Sequence, residues 1–460
     1  MSTVVTPGEQ RTWLAAHGAR TLEQRRHSLR ALLSALDLHD EALMDALEDD
    51  LGKAPIEAYT SEIHLVRQEL THALKSLKSW MKPQRCKVPM MAWPGSARVE
   101  REACGSVLII GPWNYPAQLL LTPLVGALAA GCTAVLKPSE HAPATAAVIE
   151  RLIGEVFDPE EVCVMKGGSD LAMSLAKMPF DHIFFTGGTE TGRQILAAAA
   201  PGLVPVTLEL GGKCPVLVFP ADGELDRMSA SIDVIARRIA WGKYLNAGQT
   251  CVAPDHVWVD HRLREPLVAA LARAFVEFGT GDLAKIVNRH QFDRLTGYLA
   301  MGRVAHGGGH DVDALRLEPA ILTDLPDDAP AMTEEIFGPI LPVIGCASLD
   351  EALARVRKSP PPLAIYAFTR DRRLQDRIVA ATCSGGVCFN DTILQITGPD
   401  LPFGGVGASG TGRYRGRATF DTFTRERSIM SRSLWPEISF RYPPPRVSVQ
   451  SLKKWLKKLG

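Results

Sequence analysis

The sequence carries no excess of either charge, no paired cysteines and no internal repeat, and each absence removes a class of function. Lys+Arg and Asp+Glu are both 51, so the net charge is zero and no global basic field points to nucleic acid. The nine cysteines are odd in number and scattered, and none stands in a C-x-x-C pair. That pattern reads as reduced thiols in a cytosolic chain, with neither a disulfide framework nor a zinc knuckle. The start, MSTVVTPGEQRTW, lacks the charged opening and apolar stretch of a secretory signal. The segment from Gln118 to Leu136 nearly reaches the length of a membrane span, but Pro123, Gly126 and Gly131 interrupt it. It reads better as a buried helix stopped at Gly131 and followed by a short strand, in a soluble protein. No G-x-S-x-G nucleophile elbow occurs, so His306-Gly307-Gly308-Gly309, which mimics the oxyanion loop of lipases, has no hydrolase to serve. The same glycines deny His306 and His310 a rigid face, and no metal site is expected.

What is present is a large apolar chain. At 460 residues and 46% hydrophobic, it is long enough for two or three domains of roughly 100–200 residues each and too apolar for disorder. Residues 21–80 place apolar side chains at three- and four-residue spacing, a helical entry region. From Gly105 the texture changes to apolar bursts bounded by Gly, Pro and Asn (SVLII, TAVL, EVCVM, HIFF, VPVTLEL, PVLVF), with helical stretches such as 142–156 and 190–200 between them. A second alternating region, from about 215 to 390, contains WVDH, PAILTD, PILPVI, IYAFT and GGVCFN. Strands alternating with helices predict an α/β fold with mostly parallel sheets covered on both faces.

Five segments could carry chemistry. Phe184-Phe185-Thr186-Gly187-Gly188-Thr189-Glu190-Thr191-Gly192 runs from an apolar strand through a glycine turn into a helix, where backbone N–H groups can meet a phosphate. Its spacing is G-x-x-x-x-G, and a plain tight turn fits the same letters. After another strand, Lys137 and Glu140 could hydrogen-bond ribose hydroxyls or belong to a solvated loop with a capping Ser139. In Asn246-Ala247-Gly248-Gln249-Thr250-Cys251, small and turn-forming neighbours give a thiol the access and nearby amides that a nucleophile needs; most cysteines are inert packing residues. Glu209 ends the apolar run Val206-Thr207-Leu208. Burial would raise its pKa and make it a usable general base, unless it pairs with Lys213. Asn114, in the turn Gly111-Pro112-Trp113-Asn114-Tyr115-Pro116, could donate to an oxyanion or simply form the turn.

Taken together and in this order, these segments resemble the aldehyde dehydrogenase superfamily over nearly the whole chain. The stretches PVTLELGGK, RRIAWGK, GQTCVAPD, EEIFGPILP, LPFGGVG and SGTGRY are similar to its class 3 branch of fatty, aromatic and coniferyl aldehyde dehydrogenases. The resemblance implies Cys251 as nucleophile, Glu209 as base, and Asn114 with the Cys251 amide as oxyanion hole. It implies Lys137 and Glu140 on the adenosine ribose, Gly187, Gly188 and Gly192 at the pyrophosphate turn, and Glu335 and Phe337 at the nicotinamide side. Gly188 stands where many relatives carry Ser, and ITGPDLPF lacks a His that class 3 relatives often have. The implied architecture is a Rossmann-like NAD(P)-binding domain (1–86 and 103–204), an α/β catalytic domain (205–392) and a small β oligomerisation arm (87–102 and 393–442), assembled as a homodimer. NAD is the expected cofactor, because Glu140 would repel the 2′-phosphate of NADP, although relatives accept both. The implied substrate is a small-molecule aldehyde, aromatic such as coniferyl-type or medium- to long-chain aliphatic, oxidised to the carboxylic acid. A non-catalytic relative is the rival reading, and retention of Cys251, Glu209 and Asn114 argues against it. Beyond Pro443, Pro444 and Pro445, the basic tail 443–460 sets Leu452, Trp455, Leu456 and Leu459 on one helical stripe, with Lys453, Lys454, Lys457 and Lys458 away from it. That pattern suits either weak contact of a cytoplasmic enzyme with a membrane surface or docking on protein.

Overall fold

A computed structural model of the chain describes residues 5–89, 92–437, 442–443 and 447–457, with only the backbone of 455 and 456. Its strands are, in chain order, β1 (Gln84–Cys86), β2 (Gly95–Ala103), β3 (Ser106–Ile110), β4 (Thr133–Lys137), β5 (Val162–Val164), β6 (His182–Thr186), β7 (Val206–Glu209), β8 (Pro215–Val218), β9 (His256–Asp260), β10 (Arg303–His306), β11 (His310–Asp311), β12 (Arg316–Leu317), β13 (Ala320–Thr323), β14 (Ile340–Cys346), β15 (Ala364–Phe368), β16 (Gly386–Phe389), β17 (Gly410–Thr411) and β18 (Thr424–Arg432). Every apolar burst read from the sequence becomes a strand, and the entry region is helical.

The chain forms two compact units, residues 1–80 with 103–425 and residues 81–102 with 426–460. The larger holds a six-stranded sheet, ordered β17-β7-β6-β3-β4-β5, and a seven-stranded sheet, ordered β10-β13-β14-β9-β8-β15-β16. Within them, β3 through β7 and β8, β9 and β13 through β16 pair in parallel, while β17 and β10 are antiparallel. Strands β3, β4 and β6 are buried at every position, as parallel strands covered on both faces must be. The smaller unit is built on a three-stranded sheet ordered β1-β2-β18.

In the first sheet the chain runs β3-β4-β5 to one side and β6-β7 to the other, so a crevice opens at the carboxyl ends of β3 and β6, where α/β sheets bind ligands. The apolar segment after Asn114 is a helix, Gln118–Ala130, with all of its residues buried. Gly131 ends it in the left-handed region (φ 87°) and β4 follows, as the sequence predicts. Gly126 lets this helix meet its neighbour, since a Cβ there would lie 2.1 Å from Thr419 Cγ2. Among the described residues no helix is long and apolar enough to cross a membrane.

Candidate active site

The predicted residues of the first half all follow parallel strands: Asn114 comes after β3, Lys137 ends β4, Gly187 and Gly188 follow β6, and Glu209 ends β7. Those of the second half precede strands: Cys251 comes before β9, and Glu335 and Phe337 come before β14. The carboxyl ends of one sheet thus meet the amino ends of the other.

Asn114 is buried, and its Nδ2 donates to Gln249 O (2.9 Å), two residues from Cys251. An amide nitrogen has two hydrogens, so one N–H is left for another acceptor. The loop bearing Cys251 is held from several directions. Asn246 Nδ2 donates to Asn114 O (2.9 Å), Gln249 Nε2 donates to Lys285 O (3.0 Å), and Tyr115 Oη lies 2.7 Å from Thr250 Oγ1. Asn246, Ala247 and Gly248 have φ of 50°, 51° and 70°, a run of left-handed backbone that persists only under such constraint. Gly248 is required for a second reason: a Cβ would come 2.3 Å from Gly338 O, because this loop rests on the backbone of the loop carrying Glu335 and Phe337.

That second loop is fixed by Lys213, expected only as a possible partner of Glu209, and by Asp255 and Arg294, to which the sequence assigns no role. Lys213 Nζ donates to Asp255 Oδ1 (2.5 Å) and to Glu334 O (2.7 Å). Asp255 Oδ2 accepts from the Ile336 N–H (2.9 Å), and Arg294 donates to Glu335 O and Ile336 O. Lys213 is therefore the partner of Asp255, and the alternative of a Glu209–Lys213 pair is not formed. The only signal for this was a charged residue directly before an apolar strand, in VAPD. Phe337 has φ 51° and meets Trp113 edge to face at 5.5 Å.

Electrostatically the site is dominated by the burial of its ionisable groups. Burial, with Glu335 and Glu209 nearby, pushes the Cys251 thiol up to about 12. Burial pushes Glu209 well above the carboxylate range, against the pull of Arg413 and Arg415, and neither of its side-chain oxygens has a hydrogen-bond partner. Burial likewise raises Glu335 to about 8. Burial works against the Asp255 charge, but Lys213, His256 and Lys243 hold its carboxyl well below the usual range. A cavity of about 240 Å3 opens beside Cys251, with apolar walls that include Leu119, Trp241, Ile393 and Phe403.

The crevice suits a dinucleotide. Helix Thr189–Ala199 starts at Gly188 without a side-chain cap, leaving its first N–H groups free for a phosphate. The Thr186 hydroxyl before the turn is buried without a partner, and a Cβ at Gly188 would meet nothing within 4 Å. Lys137 Nζ, buried at the end of β4, pairs with Glu140 at 2.8 Å. Burial opposes the Glu140 charge, but the Lys137 hydrogen bond keeps its carboxyl below the ordinary range. His306 and His310 lie on different strands, and among the described residues no group of three metal-ligand types comes together.

The model of the aldehyde dehydrogenase family matches residues 10–429. The chain is 41% identical over 441 residues to the 4,4'-diaponeurosporen-aldehyde dehydrogenase of Staphylococcus aureus, with 94% of each chain covered. It is 42% identical over 444 residues to aldehyde dehydrogenase family 3 member B2 of Mus musculus, covering 95% of this chain and 91% of the other. The solved structure of Staphylococcus aureus AldH in its substrate-bound state superposes with a TM-score of 0.93 at 39% identity, covering 98% of both chains.

Proposed function

The chain belongs to the aldehyde dehydrogenase family, in its class 3 branch, and is an oxidoreductase acting on aldehydes; from that premise we propose that Cys251 is the nucleophile, Glu209 the general base and Asn114 the oxyanion donor. The observation that carries this reading is that the Cys251 loop and Asn114 are joined through Gln249, while Glu209 lies close enough to raise the thiol's pKa. The Cys251 sulfur attacks the aldehyde carbon. The developing oxyanion is met by the remaining N–H of Asn114 and the Cys251 backbone N–H. Loss of hydride from this adduct, which a bound nicotinamide would accept, would leave a thioester, and Glu209 would take a proton from the water that hydrolyses it to the acid and frees the Cys251 sulfur.

As a member of the family the enzyme depends on NAD(P), and the bound nicotinamide supplies the chemistry of hydride acceptance. In our reading Gly187, Gly188 and Gly192 receive the pyrophosphate, Lys137 and Glu140 the adenosine ribose, and Glu335 and Phe337 the nicotinamide side. Glu140, held ionised by Lys137, favours the free 2′-hydroxyl of NAD over a 2′-phosphate. Residues 1–86 and 103–204, with strands β3 to β6 of the first sheet, serve as the cofactor domain and residues 205–392 as the catalytic domain. The arm, 87–102 with 393–442, joins two copies in a homodimer. The apolar cavity favours aromatic or medium- to long-chain aliphatic aldehydes, and a cytoplasmic setting is consistent with nine unpaired cysteines. The test is aldehyde-dependent formation of reduced nicotinamide. Cys251→Ala should abolish it while cofactor binding, followed by calorimetry, stays within a few-fold of wild type. Retained turnover in that variant sinks the assignment.

A further inference from the structure

One buried cation beside Cys251 has no part in the chemistry above. Arg415 lines the same cavity and is only 4% exposed. Its Nε is buried without a hydrogen-bond partner, and its hydrogen bonds run through the backbone: its N–H donates to Thr419 Oγ1 (2.7 Å) and its carbonyl accepts from the Ala418 N–H (3.1 Å). The guanidinium carbon lies 5.6 Å from the Tyr414 ring centroid, and no described carboxylate forms an ion pair with it. Its neighbour Arg413, by contrast, donates to Gly405 O (2.8 Å). The backbone at Arg415 is left-handed (φ 81°), a conformation that a long side chain adopts only when its surroundings impose it. A charge this buried is ordinarily paired, because desolvation is costly otherwise.

The acids that face it do not meet that need. Glu69 is taken up by the Gly416 N–H (2.6 Å) and Thr419 Oγ1 (3.4 Å). Glu209 lies near enough to feel the guanidinium, but neither of its oxygens makes a hydrogen bond to it. The space open to the guanidinium is the cavity it shares with Cys251, where the aldehyde binds in the reading above.

We propose that Arg415 reads the substrate: its guanidinium binds a carboxylate at the far end of the aldehyde, so that the preferred substrates are apolar aldehydes that also carry an acid group. This rests on the reading of the Cys251 cavity as the aldehyde site. With a water occupying ~30 Å3, the cavity holds about eight water-sized units. That is room for one ring with a short group at each end, the aldehyde at Cys251 and the acid at Arg415, along the apolar wall of Trp241 and Phe403.

The experiment compares kcat/KM for 4-carboxybenzaldehyde and 4-methylbenzaldehyde in wild type, Arg415→Met and Arg415→Lys. The carboxy-to-methyl ratio should fall roughly 10- to 100-fold in Arg415→Met, the range of a charged hydrogen bond, and be partly kept in Arg415→Lys. A ratio within twofold of wild type in Arg415→Met overturns the proposal. A measurement that needs no variant is competitive inhibition of wild type. Benzene-1,4-dicarboxylate should bind at least tenfold more tightly than 4-methylbenzoate, and equal potency overturns the proposal. If wild type oxidises neither aldehyde and is matched by Cys251→Ala, it is the site assignment that fails.

Discussion

Glu209 occupies a position that few carboxylates tolerate, fully buried with both oxygens free of hydrogen bonds. A structural acid would have found a partner, whereas a base that must accept a proton from water has reason to stay unengaged. In Glu209→Gln the first turnover should still release a burst of reduced nicotinamide and then stall at the thioester, as rapid-quench and stopped-flow traces would report. Steady turnover without a burst would contradict the role. Glu335 makes a different prediction. Its pKa rises from an ordinary 4.5 to about 8 on folding, so between those values the folded chain holds a proton that the unfolded chain has released. The stabilising contribution is complete below about 4.5 and is lost as pH rises through 8. Glu335→Gln removes this dependence. Urea midpoints of variant and wild type, compared from about pH 5 to pH 8.5, should diverge in favour of the variant as pH rises. A constant difference would mean that the carboxyl titrates normally.

The turn that presents Asn114 is fixed by a buried ion pair between Lys53, in the link after helix Asp40–Leu51, and Glu62, in the helical turn Tyr59–Ile63. Lys53 and Glu62, both wholly inaccessible, meet at 2.5 Å. Lys53 also donates to Asn114 O (2.8 Å) and lies 4.0 Å from the Tyr115 ring centroid. The second oxygen of Glu62 accepts from the N–H groups of Ala117 and Gln118 (3.0 Å each), at the start of helix Gln118–Ala130. That helix has no side-chain cap of its own, so a distant glutamate satisfies its first turn. Lys53→Met would leave Glu62 buried and unpaired. It should cost ~3–5 kcal/mol in urea unfolding, with kcat falling more than the residual folded fraction explains. A change under ~1 kcal/mol would show that the pair is not structural.

For the whole molecule, the open question of association concerns its ends. Residues Val449–Lys457 are helical, as the spacing of the tail predicts, with Lys453, Lys454 and Lys457 exposed and Leu452 partly so. The other members of the stripe, the side chains of Trp455 and Leu456 and residue Leu459, lie outside the described residues, as do Lys458, Pro444 and Pro445. If the tail contacts a membrane surface, the full chain should sediment with anionic vesicles at low salt and a truncation after Pro445 should not, each lysine near the lipid adding about 1 kcal/mol. Equal sedimentation of the two, or none for either, leaves docking on protein as the better account. The same pair of proteins in analytical ultracentrifugation tests the homodimer.

Much of this was legible without coordinates, for local reasons. A strand buried on both faces must be apolar throughout, so β3, β4, β6, β8 and β15 announced themselves, and glycine before a helix marked the turn at Gly187-Gly188. The small neighbours of Cys251 and the lone carboxylate at the end of β7 stood out against their surroundings. The tertiary structure alone decided which charges meet. From the sequence, Lys213 was as near to Glu209 as any base, yet it pairs with Asp255, 42 residues further on, because the amino ends of β8 and β9 are adjacent. The same holds for Lys53 beneath Asn114, for Arg294 on the Glu335 loop and for Arg415 facing the cavity without a partner. Burial raises the energy of every unpaired charge, but which charges are buried together depends on how separated strands and loops close upon one another.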